Sequence, residues 1–479
     1  MGDLYNNKRF SEGERVEKTD DSTRNEFERD FDRILFSAPV RRLADKTQVF
    51  PLEKNDSVRT RLTHSHEVAN LCRSLATQIL RERKCAFGNA PNTEFAPTIA
   101  ASVGLAHDLG NPPFGHQGET SISRWFVERF DGEGWGVPLT EQMRTDFEHW
   151  EGNAQAFRLL TRLQVSKGSH GLDLTFATLA ALMKYTVGSE KRGKEEHPAF
   201  KKFGYFDADR KNAERVLSEV GLAPGQRHPI AYLMEACDDI AYSVIDIEDA
   251  VKKQLISIND IIAALRRINN GHYEDLATAI EIRVSELQSE KRSVSEVNDI
   301  GAQYYRTFVI QTMVVATSKT FLAHSDAIIS GNFKQSLIKA SEASDLCKAL
   351  KSLASDHAYN APAVKEIELR GDNLLRSLLS YFWRSIEECS PLPSELDGND
   401  RAALAPRTST PFGEFVFSHI SQNYVRCYES DTAGMGDAAG VRYRQMLLLT
   451  DMVSGMTENF AIDLEAKFRQ LDDGRYDYH

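Results

Sequence analysis

Residues 229–252 read PIAYLMEACDDIAYSVIDIEDAVK. Pro229 suits the first turn of a helix, where its missing amide is not needed, and no glycine or further proline interrupts the run to Lys252. At 3.6 residues per turn, Asp238, Tyr242 and Asp246 fall along one line. Asp239 is turned about 100° away, with Glu235 and Ser243. Both acids stand among Cys237, Ile240 and Ala241. Burying carboxylates in such company is costly unless something positive meets them. The stretch predicts a long helix that carries acids for a purpose.

The same periodicity extends outward. Upstream, Val68, Leu71, Leu75 and Ile79 form an apolar stripe after Ser65, and Ile99, Val103 and Ala106 form another. The second stripe must stop at Gly110-Asn111-Pro112-Pro113. Downstream, residues 302–325 and 441–470 read as long helices. Short strands are conceivable near Thr47–Pro51 and around 203–207. The expected class is mostly α. Residues 1–30 read as a loosely held polar arm, 31–390 as the core and 391–479 as a C-terminal helical portion. Loops are expected at 131–138, in the charged stretch 187–206, and at 391–406, the best boundary.

A chain of 479 residues with 41% hydrophobic and 27% charged residues can bury a large core without staples. Its net charge of −12 repels nucleic acid and anionic membranes, so a phosphate ligand needs a local cluster or a metal. Six cysteines without a CxxC pair point to reduced thiols. The N-terminus lacks the apolar core of a secretory signal, and no run of eighteen apolar residues occurs. A cytoplasmic protein is the expectation.

Two histidines mark helix ends: His64 at the start of the first stripe, His107 with Asp108 at the end of the second. A His-Asp pair alone is as well explained by a helix C-terminus and its dipole. Together with Asp238 and Asp239, however, these residues make a mixed N/O set suited to Mn²⁺, Fe²⁺, Co²⁺ or Mg²⁺. In PFGHQGE, His116 and Glu119 are three apart and share a helix face, as a proton-transfer pair would. A surface ion pair is the plainer alternative. Lys191, Arg192, Lys194, Lys201 and Lys202 form a basic run that suits a solvated loop, or a second nucleotide or single-stranded DNA.

The blocks RRLADKTQVFPLEKNDSVRTRLTHSHEVA, AHDLGNPPFGHQGE, EGNAQAFRLLT, HPIAYLMEACDDIAYSVIDIED and LTDMVSGMT occur in this order across roughly residues 38–457. In this the chain resembles the HD-domain deoxynucleoside triphosphate triphosphohydrolases, the bacterial deoxyguanosinetriphosphatase-like group. The resemblance implies a helical HD fold with additional C-terminal helices. It also implies hydrolysis of dNTPs to deoxynucleoside and inorganic triphosphate at one divalent metal per site, Mn²⁺, Mg²⁺ or Co²⁺. By position it implies metal ligands at His64, His107, Asp108 and Asp238, and an acid/base pair at His116 and Glu119. Sugar contacts fall on Gln48, Tyr242 and Asp246, and phosphate contacts on Arg61 and Lys184, with Tyr185 beside it. Asn111 stands where many relatives have His. Relatives assemble as symmetric tetramers or hexamers, which implies a homo-oligomer here. A phosphodiesterase or 5′-nucleotidase of the same fold is the nearest alternative. A non-catalytic nucleotide or single-stranded-DNA binder is the third.

Overall fold

The computed structural model describes residues 3–11, 24–50, 55, 57–132, 135, 137–164, 170–194, 197–390 and 409–472. Helices dominate, and among the described residues β pairing is confined to isolated bridges such as Thr47–Thr60 and Gly188–Tyr205. The strands envisaged near Thr47 and 203–207 are therefore single bridges. In each case one short segment crosses another and then leaves it.

The elements that build the site are α1 (Glu26–Leu35), α2 (Arg61–Glu82), α3 (Ala96–Ala106), α4 (Gly115–Gly132), α5 (Glu141–Glu148), α6 (Gly152–Arg158), α7 (Phe176–Leu182) and α8 (Pro229–Lys252). Around them lie α9 (Val294–Ala323), α10 (Ser344–Ala354), α11 (Pro362–Cys389), α12 (Ala438–Ser454) and α13 (Glu458–Asp472). Local chemistry starts several of them. Asn25 and Glu28 form a capping box on α1, and Ser293 and Glu296 do so on α9. Pro229 occupies the first turn of α8, and the His228 ring accepts from the Ile230 amide.

Helix α8 is the central post, packed on α2, α3, α9 and α10. Leu233, Ile240, Val244 and Ile247 are wholly buried. Each such side chain contributes roughly 1.5–3 kcal/mol by leaving water. Helices α2 and α3 approach closely at Gly104, where a Cβ would stand 2.7 Å from Ala69 Cα. That contact brings the start of α2 and the end of α3 together, and with them His64 and His107.

Three expectations change. The stretch 441–470 is two helices, α12 and α13, broken at Gly455-Met456-Thr457. The N-terminal arm is not loose where it is described. Tyr5 and Phe10 are buried, and Arg9 pairs with Asp30 of α1 at 2.7 Å, because two large rings outweigh the polar residues around them. The described parts of the charged stretch, 187–194 and 197–206, fold back in short 3₁₀ turns over a small cluster of Val187, Ala199 and Phe200. The boundary expected at 391–406 lies outside the described residues. Helices α12 and α13 both pack on α11, and Arg158 of α6 grips Asp451 of α12 at 2.8 Å. No described helix is long and apolar enough to cross a membrane.

Candidate active site

His64, in the first turn of α2, and His107, just past α3, place their ring centroids 5.5 Å apart. Ligand atoms of His64, His107 and Asp108 all lie within 4.8 Å of one another. Asp238 reaches in from α8, its Oδ1 3.3 Å from His64 Nε2 and 3.5 Å from His107 Nε2. The His107 Nδ1–H donates to Gly104 O at 2.7 Å, which leaves Nε2 as the ring atom that faces the carboxylates. That Nε2 is buried and has no hydrogen-bond partner. Burial opposes charge on His107, yet Asp108 and Asp238 outweigh it and raise the ring to about 9. Burial likewise pushes Asp108 up, but His107, Arg61 and His64 bring it down to about 2. Two carboxylates facing two imidazoles in a buried site call for a cation, and a divalent ion fits this donor set.

Asp239 does not share this face. It is turned to Lys351 of α10, Oδ1 to Nζ 2.5 Å, and burial pushes its carboxyl above the usual carboxylate range while Lys351 works against that. Asp108 is braced from outside: Arg61 Nη1 donates to its Oδ2 at 2.7 Å and Asn111 Nδ2 to its Oδ1 at 2.6 Å. Arg61 thus faces Asp108 and is itself buried. Asn111 braces a carboxylate, a task an amide performs without titrating.

The loop after α3 carries the second group. Phe114 adopts φ 63°, rare for a bulky residue. It is held there by its amide, which donates to Glu458 Oε1 at 3.0 Å, and by its ring, which fills the space a side chain at Gly371 would need. From this bend α4 starts, and His116 Nδ1–H donates to Glu119 Oε2 at 2.9 Å. The His116 side chain is 82% exposed, whereas Glu119 is 10% exposed. The hydrogen bond to Glu119 raises the His116 basicity. Burial would push Glu119 up, but His116 and Lys202 keep it low. Glu119 Oε1 also accepts the Gly152 amide at 2.9 Å.

Lys184 lies 3.6 Å from Glu235 of α8, which Arg227 also holds at 2.9 Å. Burial works against the Lys184 ammonium, but Glu235 and the charges of Asp238 and Asp239 keep it protonated. Tyr185 is buried beside it. Tyr242 packs its ring 5.6 Å from Tyr359, and the Tyr359 hydroxyl donates to Asp246 Oδ2 at 2.7 Å. Gln48 follows the Thr47–Thr60 bridge, and its Oε1 is buried without a partner.

Several residues of this region escaped sequence reasoning. Lys202 of the basic run is only partly exposed and turns inward, unlike its neighbours. Its Nζ lies 2.8 Å from Glu151 and 3.6 Å from Glu119. Lys191, Arg192, Lys194 and Lys201 are exposed. Lys46 is buried and donates to Asn111 O at 2.7 Å and Ser454 O at 2.8 Å, tying the loop to α12. Glu458, Tyr359 and Lys351 come from distant parts of the chain, and no spacing announces them. An acid beginning EGNAQAF was the one visible signal for Glu151.

Comparison with known proteins places this geometry. Residues 61–152 match the HD domain model. The chain is 36% identical over 480 residues to a deoxyguanosinetriphosphate triphosphohydrolase-like protein of Listeria innocua serovar 6a, covering 98% of this chain and 99% of that one. The protein of the same name from Listeria monocytogenes serovar 1/2a matches equally, at 36% with the same coverage. The deoxyguanosinetriphosphate triphosphohydrolase of Serratia proteamaculans is 32% identical over 491 residues, covering 93% of each chain. An HD domain around a metal-competent cluster, within full-length similarity of this extent, has one reading: the chain belongs to the deoxyguanosinetriphosphate triphosphohydrolase family of HD-domain proteins.

Proposed function

We propose that this protein hydrolyses deoxynucleoside triphosphates, dGTP or several dNTPs, to the deoxynucleoside and inorganic triphosphate. The observation that carries the reading is the pairing of two groups: the buried set His64, His107, Asp108 and Asp238, and the exposed His116 held on Glu119. A divalent ion, Mn²⁺, Mg²⁺ or Co²⁺, held by that set supplies charge neutralisation at the phosphates. The chain's own residues do the rest. Lys184 stays protonated beside the set and offers its ammonium to phosphate oxygens, with Tyr185 behind it and Arg61 bracing Asp108. Tyr242 and Asp246 receive the deoxyribose, together with Gln48, whose buried oxygen lacks a partner. With Nδ1–H committed to Glu119, only Nε2 of His116 is free to move a proton at the reacting phosphate. The ionised Glu119 stabilises the imidazolium that results.

The protein acts in the cytoplasm as a homo-oligomer, a tetramer or hexamer. The exposed Lys191, Arg192, Lys194 and Lys201 offer a surface to an activating dNTP or single-stranded DNA. Light scattering under assay conditions checks the assembly, and a monomer would contradict it. The reaction itself is tested by incubating the protein with each dNTP and Mn²⁺ or Mg²⁺ and separating the products. Deoxynucleoside and triphosphate in equal amounts are expected; nucleotide plus smaller phosphates would favour a phosphodiesterase or nucleotidase instead.

A further inference from the structure

Lys202 stands between two buried acids. Its Nζ is 2.8 Å from Glu151 Oε1 and 3.0 Å from Oε2, and 3.6 Å from Glu119 Oε2. Glu151 is 5% exposed, and Lys202 is its one cationic partner among the described residues. Glu151 receives one other side-chain hydrogen bond, from Asn153 Nδ2 at 3.4 Å. The titratable groups that face it are Lys202, Glu119 of α4 with His116 behind it, and Tyr185 after α7.

This arrangement is odd for a structural ion pair. One lysine serves two carboxylates, which leaves excess negative charge in the wall next to His116, where a polyanion has to come. Glu119 is already satisfied by His116 and the Gly152 amide. Glu151 depends on Lys202. Burial and the nearby Glu119 push Glu151 up to about 7, against the pull of Lys202.

We infer that Glu151 is a positioning residue that parks Lys202 in the substrate-free site and releases it to the incoming triphosphate by taking up a proton. The inference rests on the reading of the site as one for nucleoside triphosphates. An ionised Glu151 competes with phosphate oxygens for the same ammonium and repels them. A protonated Glu151 does neither. Binding of the polyanion favours the protonated form, and the proton comes from solvent. Affinity should therefore be highest where Glu151 is neutral and fall as pH rises through its titration range. A lysine parked in about nine molecules of ten weakens apparent binding about tenfold.

The test compares the metal-loaded wild type with Glu151→Gln, which keeps the shape without the charge. For dGTP with Mn²⁺ between pH 6 and 8.5, the wild-type KM should rise roughly 3–10-fold. The Glu151→Gln KM should stay near the low-pH value, the effect falling on KM more than on kcat. Calorimetry of dGTP binding to His116→Ala, in buffers of different ionisation enthalpy, should show proton uptake near pH 7 that adding Glu151→Gln reduces. Lys202→Met guards against a misfolded Glu151 variant: its KM should be raised and lose the same pH dependence. Glu151→Gln with KM raised at every pH would make Glu151 a mere anchor and overturn the inference. So would a pH dependence of KM identical in wild type and Glu151→Gln. A wild type that hydrolyses dNTPs with these failures leaves the functional reading intact. A wild type that neither binds nor hydrolyses any dNTP overturns both.

Discussion

Asp238 Oδ1 lies 3.3 Å from Nε2 of His64, joining α8 to the first turn of α2. The adjacent Asp239 turns to Lys351 instead. Asp238→Asn should therefore abolish bound metal and turnover. Asp239→Asn should keep the metal and part of the activity. Elemental analysis of the two purified variants decides it, and a metal-free Asp239→Asn would reverse the roles.

His116→Ala should lower kcat by ~10²–10⁴ with metal content unchanged. Glu119→Gln removes the partner that raises the His116 basicity. If His116 works as a base, activity is lost as pH falls through its titration range. Glu119→Gln should move that acid limb to lower pH, besides lowering the maximum. A pH–rate profile of the variant with an unmoved limb would separate Glu119 from His116.

Asp146 of α5 is buried under Tyr443 of α12, Ser189 and the Asp207 amide, and burial pushes it up to about 7. The unfolded value is ~3.9. The folded state therefore holds this proton more tightly. Its contribution is complete below about pH 4 and is lost as pH rises through about 7, an amount of about 4 kcal/mol at most. Urea unfolding should show wild type losing stability between pH 6 and 8. Asp146→Asn should lose clearly less over the same interval.

Gly110 lies against α6 so closely that a Cβ would stand 1.9 Å from Gly152 O and 2.3 Å from Ala156 N. Backbone cannot yield as a side chain does. Gly110→Ala should cost about 3 kcal/mol and pull Gly152 away from Glu119. Unfolding curves and the activity of whatever folds measure both effects.

The cluster of Asp108 and Asp238 with two imidazoles should make the fold sensitive to chelation. Anything that binds only the folded state stabilises it, by ~2.7 kcal/mol at a hundredfold excess over Kd. EDTA dialysis should lower Tm and remove activity, and Mn²⁺ or Co²⁺ should restore both. An unchanged Tm and full activity in metal-free protein would contradict the proposed centre.

The helical class, and the face of α8 that carries Asp238, Tyr242 and Asp246, follow from local order alone, because helix geometry repeats every 3.6 residues whatever surrounds it. The ends of α2 and α3, with His64 and His107, are legible for the same reason: a capping residue or a Gly-Asn-Pro-Pro break acts on its own neighbours. The break at Gly455 within 441–470 is not legible in the sequence, since an apolar pattern continues across it on both sides. The burial of Tyr5 and Phe10 was invisible because the groove that receives them is built from elsewhere in the chain. Only the tertiary structure decided that Lys202 leaves its exposed neighbours to meet Glu151. It alone decided that Glu458, 344 residues away, holds the Phe114 amide. Charge runs, caps and periods are properties of a segment, whereas the partner of a buried charge is chosen by packing. The cost of leaving that charge unpaired is what makes the choice binding.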